Sequence, residues 1–163
     1  MPAGIRPTTE LARKAAFDLL GPTIESARVL DAAAGSGAYG LEGLSRGAAH
    51  ATFVESDTRV YSVLRRNVAS LADAASVRIE CMTTARFAAV ALAGTGRFEV
   101  VFHDPPFADP SGEDLAALLS LLAPGGVLVH ERGDGTVPAP EGWAGAVDVR
   151  RYGRTHLVLF RRP

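Results

Sequence analysis

The chain has 163 residues, enough for one domain of common size, and its 47% hydrophobic and 21% charged residues are close to globular averages. A single cysteine, Cys81, excludes an internal disulfide and a cysteine-based zinc site. No apolar run approaches the ~18 residues of a membrane span, and the start of the sequence lacks the apolar stretch of a signal peptide. We therefore expect a soluble, cytoplasmic, monomeric protein, with one domain over residues 1–163 and no membrane partner.

The formal net charge of −1 conceals an uneven distribution of basic residues. Lys14 is the only lysine, and five of the sixteen arginines fall within residues 150–163, which contain no acidic residue. Such a segment is either a solvated strand end or a surface that contacts a polyanion. The sequence alone leaves both interpretations open.

Apolar periodicity predicts helices and strands that alternate along most of the chain. In order, the predicted elements are a helix from Thr8 or Thr9 to about Leu20, a strand at Arg28–Asp31, a helix at Ala38–Arg46, a strand at Ala51–Glu55, a helix at Thr58–Leu71, a strand at Val77–Cys81, a helix at Thr84–Ala93, a strand at Glu99–His103, a helix at Glu113–Leu122 and a strand at Gly126–His130. This alternation is typical of βαβ units on a parallel sheet.

The end of the chain breaks the alternation. Ala146–Arg151 and Thr155–Phe160 are two strand-like segments joined at Tyr152-Gly153, which is too short a connection for a helical crossover. They predict an antiparallel hairpin. The complete prediction is an α/β fold with five parallel strands, helices on both faces and a C-terminal antiparallel hairpin. This seven-stranded arrangement is the Rossmann-like architecture of class I methyltransferases rather than the doubly repeated NAD-binding fold.

A glycine motif, G-x-G-x-x-G, follows the first predicted strand and opens the next helix at Gly35, Gly37 and Gly40. Glycines in this context permit a tight turn and the close approach of a ligand. Glu55 follows 24 residues after Asp31, in a position to accept hydrogen bonds from ribose hydroxyls. The alternative is a tight strand-to-helix turn with an unrelated surface glutamate.

The acidic residue Asp31 precedes the glycines and bears on the identity of the ligand. A carboxylate at this position disfavours a pyrophosphate at the following helix N-terminus, as NAD would require. It suits a ligand with an ammonium or sulfonium group, namely the methionine end of S-adenosylmethionine. We therefore favour the methyl donor as the cofactor.

The fourth strand leads into Asp104-Pro105-Pro106-Phe107, the most specific motif in the chain. The prolines stiffen the loop and leave carbonyl acceptors, so that Asp104 and the Pro105 carbonyl could orient an exocyclic amine on a flat base. Phe107 offers a stacking surface for an extruded base. This chemistry needs neither a metal nor a covalent nucleophile. The alternative is a rigid proline turn with a buried Phe107.

With these motifs the sequence resembles the RsmD family, bacterial methyltransferases that act on guanine N2 of small-subunit (16S) ribosomal RNA. The resemblance covers nearly the whole chain and rests on Arg6-Pro7-Thr8-Thr9, Gly35–Gly40 with Leu41–Ala48, Phe53–Asp57, Asn67, Asp104–Phe107 and Arg151-Tyr152-Gly153. It implies methyl transfer from S-adenosylmethionine to that amine, with ribosomal RNA or a partly assembled small subunit as the partner.

The motifs and the resemblance together give three sets of candidate residues. The catalytic set is Asp104, Pro105, Pro106 and Phe107. The cofactor-binding set is Asp31, Ala33, Gly35, Gly37, Glu55, Ser56 and Thr84. The RNA-binding set is Arg6, Thr8, Arg151 and Arg154.

The sequence departs from the family in several places. The family opens with a further basic hairpin, which we expect to be absent because Met1 falls just before the Arg6-Pro7-Thr8-Thr9 segment. Thr83-Thr84 stands where many relatives place an acidic or amide residue for the adenine, and we interpret His103 and His130 as structural histidines. Two alternatives remain: an amino methyltransferase acting on DNA or protein, and a cofactor-binding interaction protein without catalysis.

Overall fold

The computed structural model describes residues 7–94, 96–106, 112–133 and 139–163; Arg6, Phe107 and the side chain of Thr8 lie outside the described part. The helices are α1 (Pro7–Leu20), α2 (Ala38–Ser45), α3 (Thr58–Leu71), α4 (Thr84–Ala93) and α5 (Glu113–Leu119). The strands are β1 (Arg28–Ala32), β2 (His50–Val54), β3 (Val77–Glu80), β4 (Phe98–His103), β5 (Leu122–Arg132), β6 (Ala146–Tyr152) and β7 (Thr155–Arg161).

The strands form one seven-stranded sheet in the order β3-β2-β1-β4-β5-β7-β6. Strands β1 to β5 are parallel, whereas β7 runs antiparallel to both β5 and β6. The predicted fold class is therefore confirmed, including the C-terminal hairpin. In this topology the carboxyl ends of β1, β2 and β4 lie side by side, which is where open α/β sheets bind ligands.

Helices cover both faces of the sheet, and successive residues of the central strands belong in turn to the two apolar layers. Val29 of β1 packs with Phe17 and Leu64 in the layer beneath α1 to α3. The next residue, Leu30, packs with Leu118 in the layer beneath α4 and α5. A central strand buried on both faces is the expected environment for a continuous apolar run.

The helix predicted at Glu113–Leu122 is too long, and the strand predicted at Gly126–His130 is too short. Helix α5 ends at Leu119, while β5 begins at Leu122, which pairs with Phe98 of β4. The register between these strands shifts at the Ala-Pro-Gly-Gly segment that follows Leu122, so the strand continues through an irregularity. The fully buried Leu122 therefore belongs to the sheet rather than to a helix.

No helix within the described ranges is both long enough and apolar enough to cross a membrane.

Candidate active site

The loop between β1 and α2 adopts an unusual backbone that the neighbouring elements stabilise. Ala33 has a φ of 55°, which is costly for a residue with a Cβ atom, and Gly35 has a φ of 59°. The Ala34 amide donates to the Val54 carbonyl at 2.8 Å, and the Asn67 side chain donates to the Ser36 carbonyl at 3.0 Å. Sparsely populated backbone conformations cluster at binding loops, and this loop lines both cavities described below.

The three glycines of the motif have different physical roles. A Cβ atom at Gly35 would meet nothing within 4 Å, so this position is open to a ligand. At Gly37 it would lie 2.7 Å from Leu64 Cδ1, and at Gly40 it would lie 2.4 Å from Phe53 Cε1. Packing between α2, α3 and the sheet thus explains the second and third glycines, and cofactor contact by Gly37 stays a prediction.

Glu55 follows β2 and holds the loop through its carboxylate. One oxygen accepts a hydrogen bond from the Gly35 amide at 2.9 Å, and the other accepts from the Asp57 amide at 3.0 Å. These two bonds orient the side chain beside the glycine loop, where a vicinal diol could reach it.

A cavity of about 970 Å³ opens at the carboxyl ends of the parallel strands. It brings together eight of the predicted residues: Ala33, Gly35, Glu55, Ser56, Thr84, Asp104, Pro105 and Pro106. Its lining also includes five residues that were not predicted as site residues: Asp57, Val60, Thr83, His103 and Asp114. Asp57 and Thr83 cap α3 and α4, so the cavity lies beside the amino ends of two helices.

A smaller cavity of about 250 Å³ lies beside the first, against the buried carboxyl of Asp31. Asp31 accepts a hydrogen bond from the Gly40 amide at 2.9 Å. Burial raises its pKa to about 8. The hydrogen bond from the Gly40 amide lowers this pKa, whereas the negative charges of Asp104 and Glu55 raise it further. A cation entering this cavity would favour the ionised carboxylate.

Asp104, Ala33 and Gly35 line both cavities. Asp104 therefore lies at their junction, together with the open glycine of the loop. A group in the larger cavity and a cation in the smaller one would meet beside this carboxyl.

Glu131, at the end of β5, is a site residue that sequence reasoning missed. Its carboxylate accepts a hydrogen bond from the Tyr39 hydroxyl at 2.6 Å and lies next to Asp104, because His103 and His130 pair in the sheet. Burial, together with the charge and hydrogen bond of Glu131, raises the pKa of Asp104 to about 7; burial also raises the pKa of Glu131. Nothing in the local sequence marks Glu131, since only the adjacency of β4 and β5 brings it to Asp104.

The two histidines interpreted as structural are buried at adjacent strand ends. Their rings stack with centroids 4.9 Å apart at an interplanar angle of 18°, and His130 Nδ1 lies 3.0 Å from the His103 carbonyl oxygen. The hydrogen bond of His130 agrees with the structural interpretation of that residue. His103 also lines the larger cavity, next to Asp104.

The arginines of residues 150–163 divide between the two ends of the sheet. The exposed Arg151 and Arg154 flank the β6–β7 turn, which lies at the carboxyl end of β5 because Arg132 pairs with His156. Arg161 and Arg162 lie at the opposite end and donate to backbone carbonyls of the domain. The proposed RNA-binding pair thus shares the cavities' end of the sheet, where Arg151 also donates to the Gly153 carbonyl at 2.9 Å, whereas the last two arginines lie at the opposite end.

Comparison with known proteins agrees with this architecture. The family model described as conserved hypothetical protein 95 matches residues 1–161. The chain belongs to this family. Its resemblance to the RsmD family is confirmed, since curated relatives of this chain are named ribosomal RNA small subunit methyltransferase D.

Three relatives illustrate the similarity. YlbH of Bacillus subtilis, described as a candidate rRNA methyltransferase, is 30% identical over 162 residues, covering 96% of this chain and 88% of that protein. Ribosomal RNA small subunit methyltransferase D of Escherichia coli is 45% identical over 104 residues, 64% of this chain and 50% of that protein. The structure of Escherichia coli yhhF, described as a candidate methyltransferase, superposes with a TM-score of 0.82 at 35% identity and covers 99% and 89% of the two chains.

Proposed function

We propose that this chain transfers a methyl group from S-adenosylmethionine to the exocyclic N2 amine of a guanine in small-subunit ribosomal RNA. The observation that carries the proposal is the position of Asp104 at the junction of two cavities, each lined by part of the predicted cofactor set. The named relatives supply the methyl acceptor class, since they are ribosomal RNA small subunit methyltransferases.

The residues present fit S-adenosylmethionine. The buried Asp31 carboxyl in the smaller cavity suits the ammonium of the methionine portion, because a buried carboxylate is stabilised by a nearby cation. Glu55 suits the ribose hydroxyls, and Ser56 and Thr84 lie in the larger cavity where hydroxyls could contact the adenine. When bound, this cofactor supplies an electrophilic methyl group on a sulfonium.

The motif after β4 provides the groups that would orient the acceptor amine. Asp104 and the Pro105 carbonyl can accept hydrogen bonds from the two amine hydrogens, which directs the nitrogen lone pair toward the cofactor. The two prolines restrict the loop that carries these acceptors. Phe107, which lies outside the described residues, is proposed to stack on the base.

We propose Arg151 and Arg154 as contacts to RNA phosphates. Both are exposed at the hairpin turn, on the end of the sheet where the cavities open. Arginine suits this role because its planar guanidinium matches the geometry of phosphate oxygens. The roles of Arg6 and Thr8 remain predictions from the sequence.

The decisive experiment is transfer of a tritiated methyl group to small-subunit particles from a strain that lacks the corresponding methyltransferase, followed by nucleoside analysis. We expect label in N2-methylguanosine, and none with the Asp104→Ala variant. Parallel reactions with naked ribosomal RNA, assembled particles and duplex DNA identify the substrate form. Label in DNA or protein alone would contradict the proposal, as would the absence of label from every substrate.

A further inference from the structure

The β4–β5 register brings the carboxyl groups of Asp104 and Glu131 side by side, and each carboxyl influences the pKa of the other. His103, the last residue of β4, pairs with His130, so Asp104 leaves the sheet next to Glu131, which is still in β5 and pairs with Leu157 of β7. Neither group is fully exposed, and Asp104 faces both cavities. Asp104 thus lies beside the position proposed for the reacting amine, with Glu131 next to it on β5.

A hydrogen bond between them requires a proton on one of the two carboxyls, because ionised carboxylates can only accept. The Tyr39 hydroxyl cannot supply it, since it donates to Glu131 at 2.6 Å and burial raises the pKa of Tyr39. A bond between the two side chains would therefore join a carboxylic acid to a carboxylate, as in other close carboxyl pairs.

On the basis of the proposed function, we propose that Glu131 is a positioning residue: it engages one oxygen of Asp104 so that the other faces the amine, and the pair takes up the proton that the amine releases. The amine nitrogen forms its bond to the methyl carbon with its lone pair. The carbon–sulfur bond breaks, and its electrons remain on sulfur, giving a neutral thioether. The methylated nitrogen then loses one proton, and the pair changes from one negative charge to none.

Ionisable and polar groups from every neighbouring element influence this pair. The charges of Asp104 and of Glu55 after β2 both act on Asp31 of β1, while Arg13 on α1 favours ionised Glu131 and also bonds to Glu42 at 2.9 Å. Tyr39 on α2 donates to Glu131, and the buried His103 and His130 precede the two carboxyls. Burial raises the pKa of both members of the pair, that of Asp104 to about 7, so the pair holds its first proton up to about neutral pH.

The kinetic test compares Glu131→Ala and Glu131→Gln with the control Glu141→Gln, which alters an exposed carboxyl. Alanine removes the bond to Asp104, and we expect a single-turnover rate at least ~10-fold lower, with cofactor affinity unchanged. Glutamine restores the rate to within several-fold, because its amide can donate to Asp104 and accept from Tyr39. An unaltered rate in Glu131→Ala would overturn the proposal, as would failure of glutamine to restore it.

A second measurement does not depend on activity. Carbon-13 NMR of labelled carboxyl groups follows the first protonation of the pair as the pH is lowered, near pH 7 in the wild-type chain. In Glu131→Gln the first protonation belongs to Asp104 alone. Its midpoint moves down by about one pH unit or more, because a like charge is replaced by a hydrogen-bond donor.

If Glu131→Ala does not fold, Tyr39→Phe provides the same test. Loss of the donor to Glu131 moves the first protonation to higher pH and lowers the rate several-fold; no change in either would overturn the proposal. A wild-type chain that transfers no methyl group to RNA would overturn the proposed function itself. A titration that is the same in Glu131→Gln and wild type would overturn the positioning role alone.

Discussion

Replacing Asp31 by asparagine tests two roles of this residue: its effect on the pH dependence of the domain's stability and its contribution to cofactor binding. Burial raises the pKa of this carboxyl from 3.8 to about 8 in the folded chain. Between these pH values the folded state binds more protons than the unfolded state, so the free energy of unfolding falls as the pH rises. Four pH units at about 1.4 kcal/mol each give a loss on the order of 5 kcal/mol by pH 8 and above.

Asparagine cannot ionise, while its amide oxygen can still accept the Gly40 hydrogen bond. We expect the Asp31→Asn protein to lack this part of the pH dependence, although burying the amide hydrogens costs about 1–3 kcal/mol at every pH. Asp104 and Glu131, whose pKa values are also raised, contribute a similar slope to both proteins. The difference between the two slopes therefore isolates Asp31.

The assay is urea denaturation of the cofactor-free protein at a series of pH values from about 5 to 8, with the exposed Asp18→Asn as the control. The wild type should lose about 4 kcal/mol more than Asp31→Asn across this interval. Calorimetry on the same preparations should show weaker binding of S-adenosylmethionine by Asp31→Asn. Parallel stability curves with equal cofactor affinities would refute the reasoning.

Three further predictions address the loop, the RNA surface and the packing of the motif. Glu55→Ala should weaken cofactor binding by a few kcal/mol at most, because it removes charge-assisted bonds to the ribose. Calorimetry measures this affinity, and an unchanged value would exclude ribose binding by Glu55. Neutralising Arg151 and Arg154 should lower RNA affinity and reduce its salt dependence by about one unit per lost phosphate contact, whereas Arg97→Ala, at the other end of the sheet, should change neither. Gly40→Ala should destabilise the domain by about 1–3 kcal/mol in urea denaturation, because its methyl group would meet an aromatic ring at 2.4 Å; wild-type stability would show that this contact relaxes.

The sequence predicts those parts of the fold and site that depend on local patterns. Alternating helices and strands give the parallel sheet, and the short connection at Tyr152-Gly153 gives the antiparallel hairpin. The motifs also identify eight of the residues that line the larger cavity, since Glu55 and Asp104 each follow a parallel strand. Parallel strands present their carboxyl ends at one edge, which brings distant motifs together.

The parts that sequence reasoning misses depend on tertiary contacts. The position of Leu122 in β5 follows from its pairing with Phe98, which helical periodicity cannot reveal. Gly40 belongs to a recognised ligand motif, but its missing side chain makes room for a ring of β2. Glu131 becomes visible as a site residue only when the sheet order places it beside Asp104, 27 positions away along the chain.

The central claim is that Asp104 acts on the amine during methyl transfer rather than on cofactor binding or folding. The most direct test measures single-turnover methyl transfer, cofactor affinity and thermal stability on one preparation of Asp104→Ala. We predict a rate at least ~100-fold lower, with cofactor affinity close to that of the wild type and a melting temperature that is not reduced, because the interaction develops fully in the transition state. A folded Asp104→Ala protein that binds the cofactor and methylates RNA at the wild-type rate would contradict the claim.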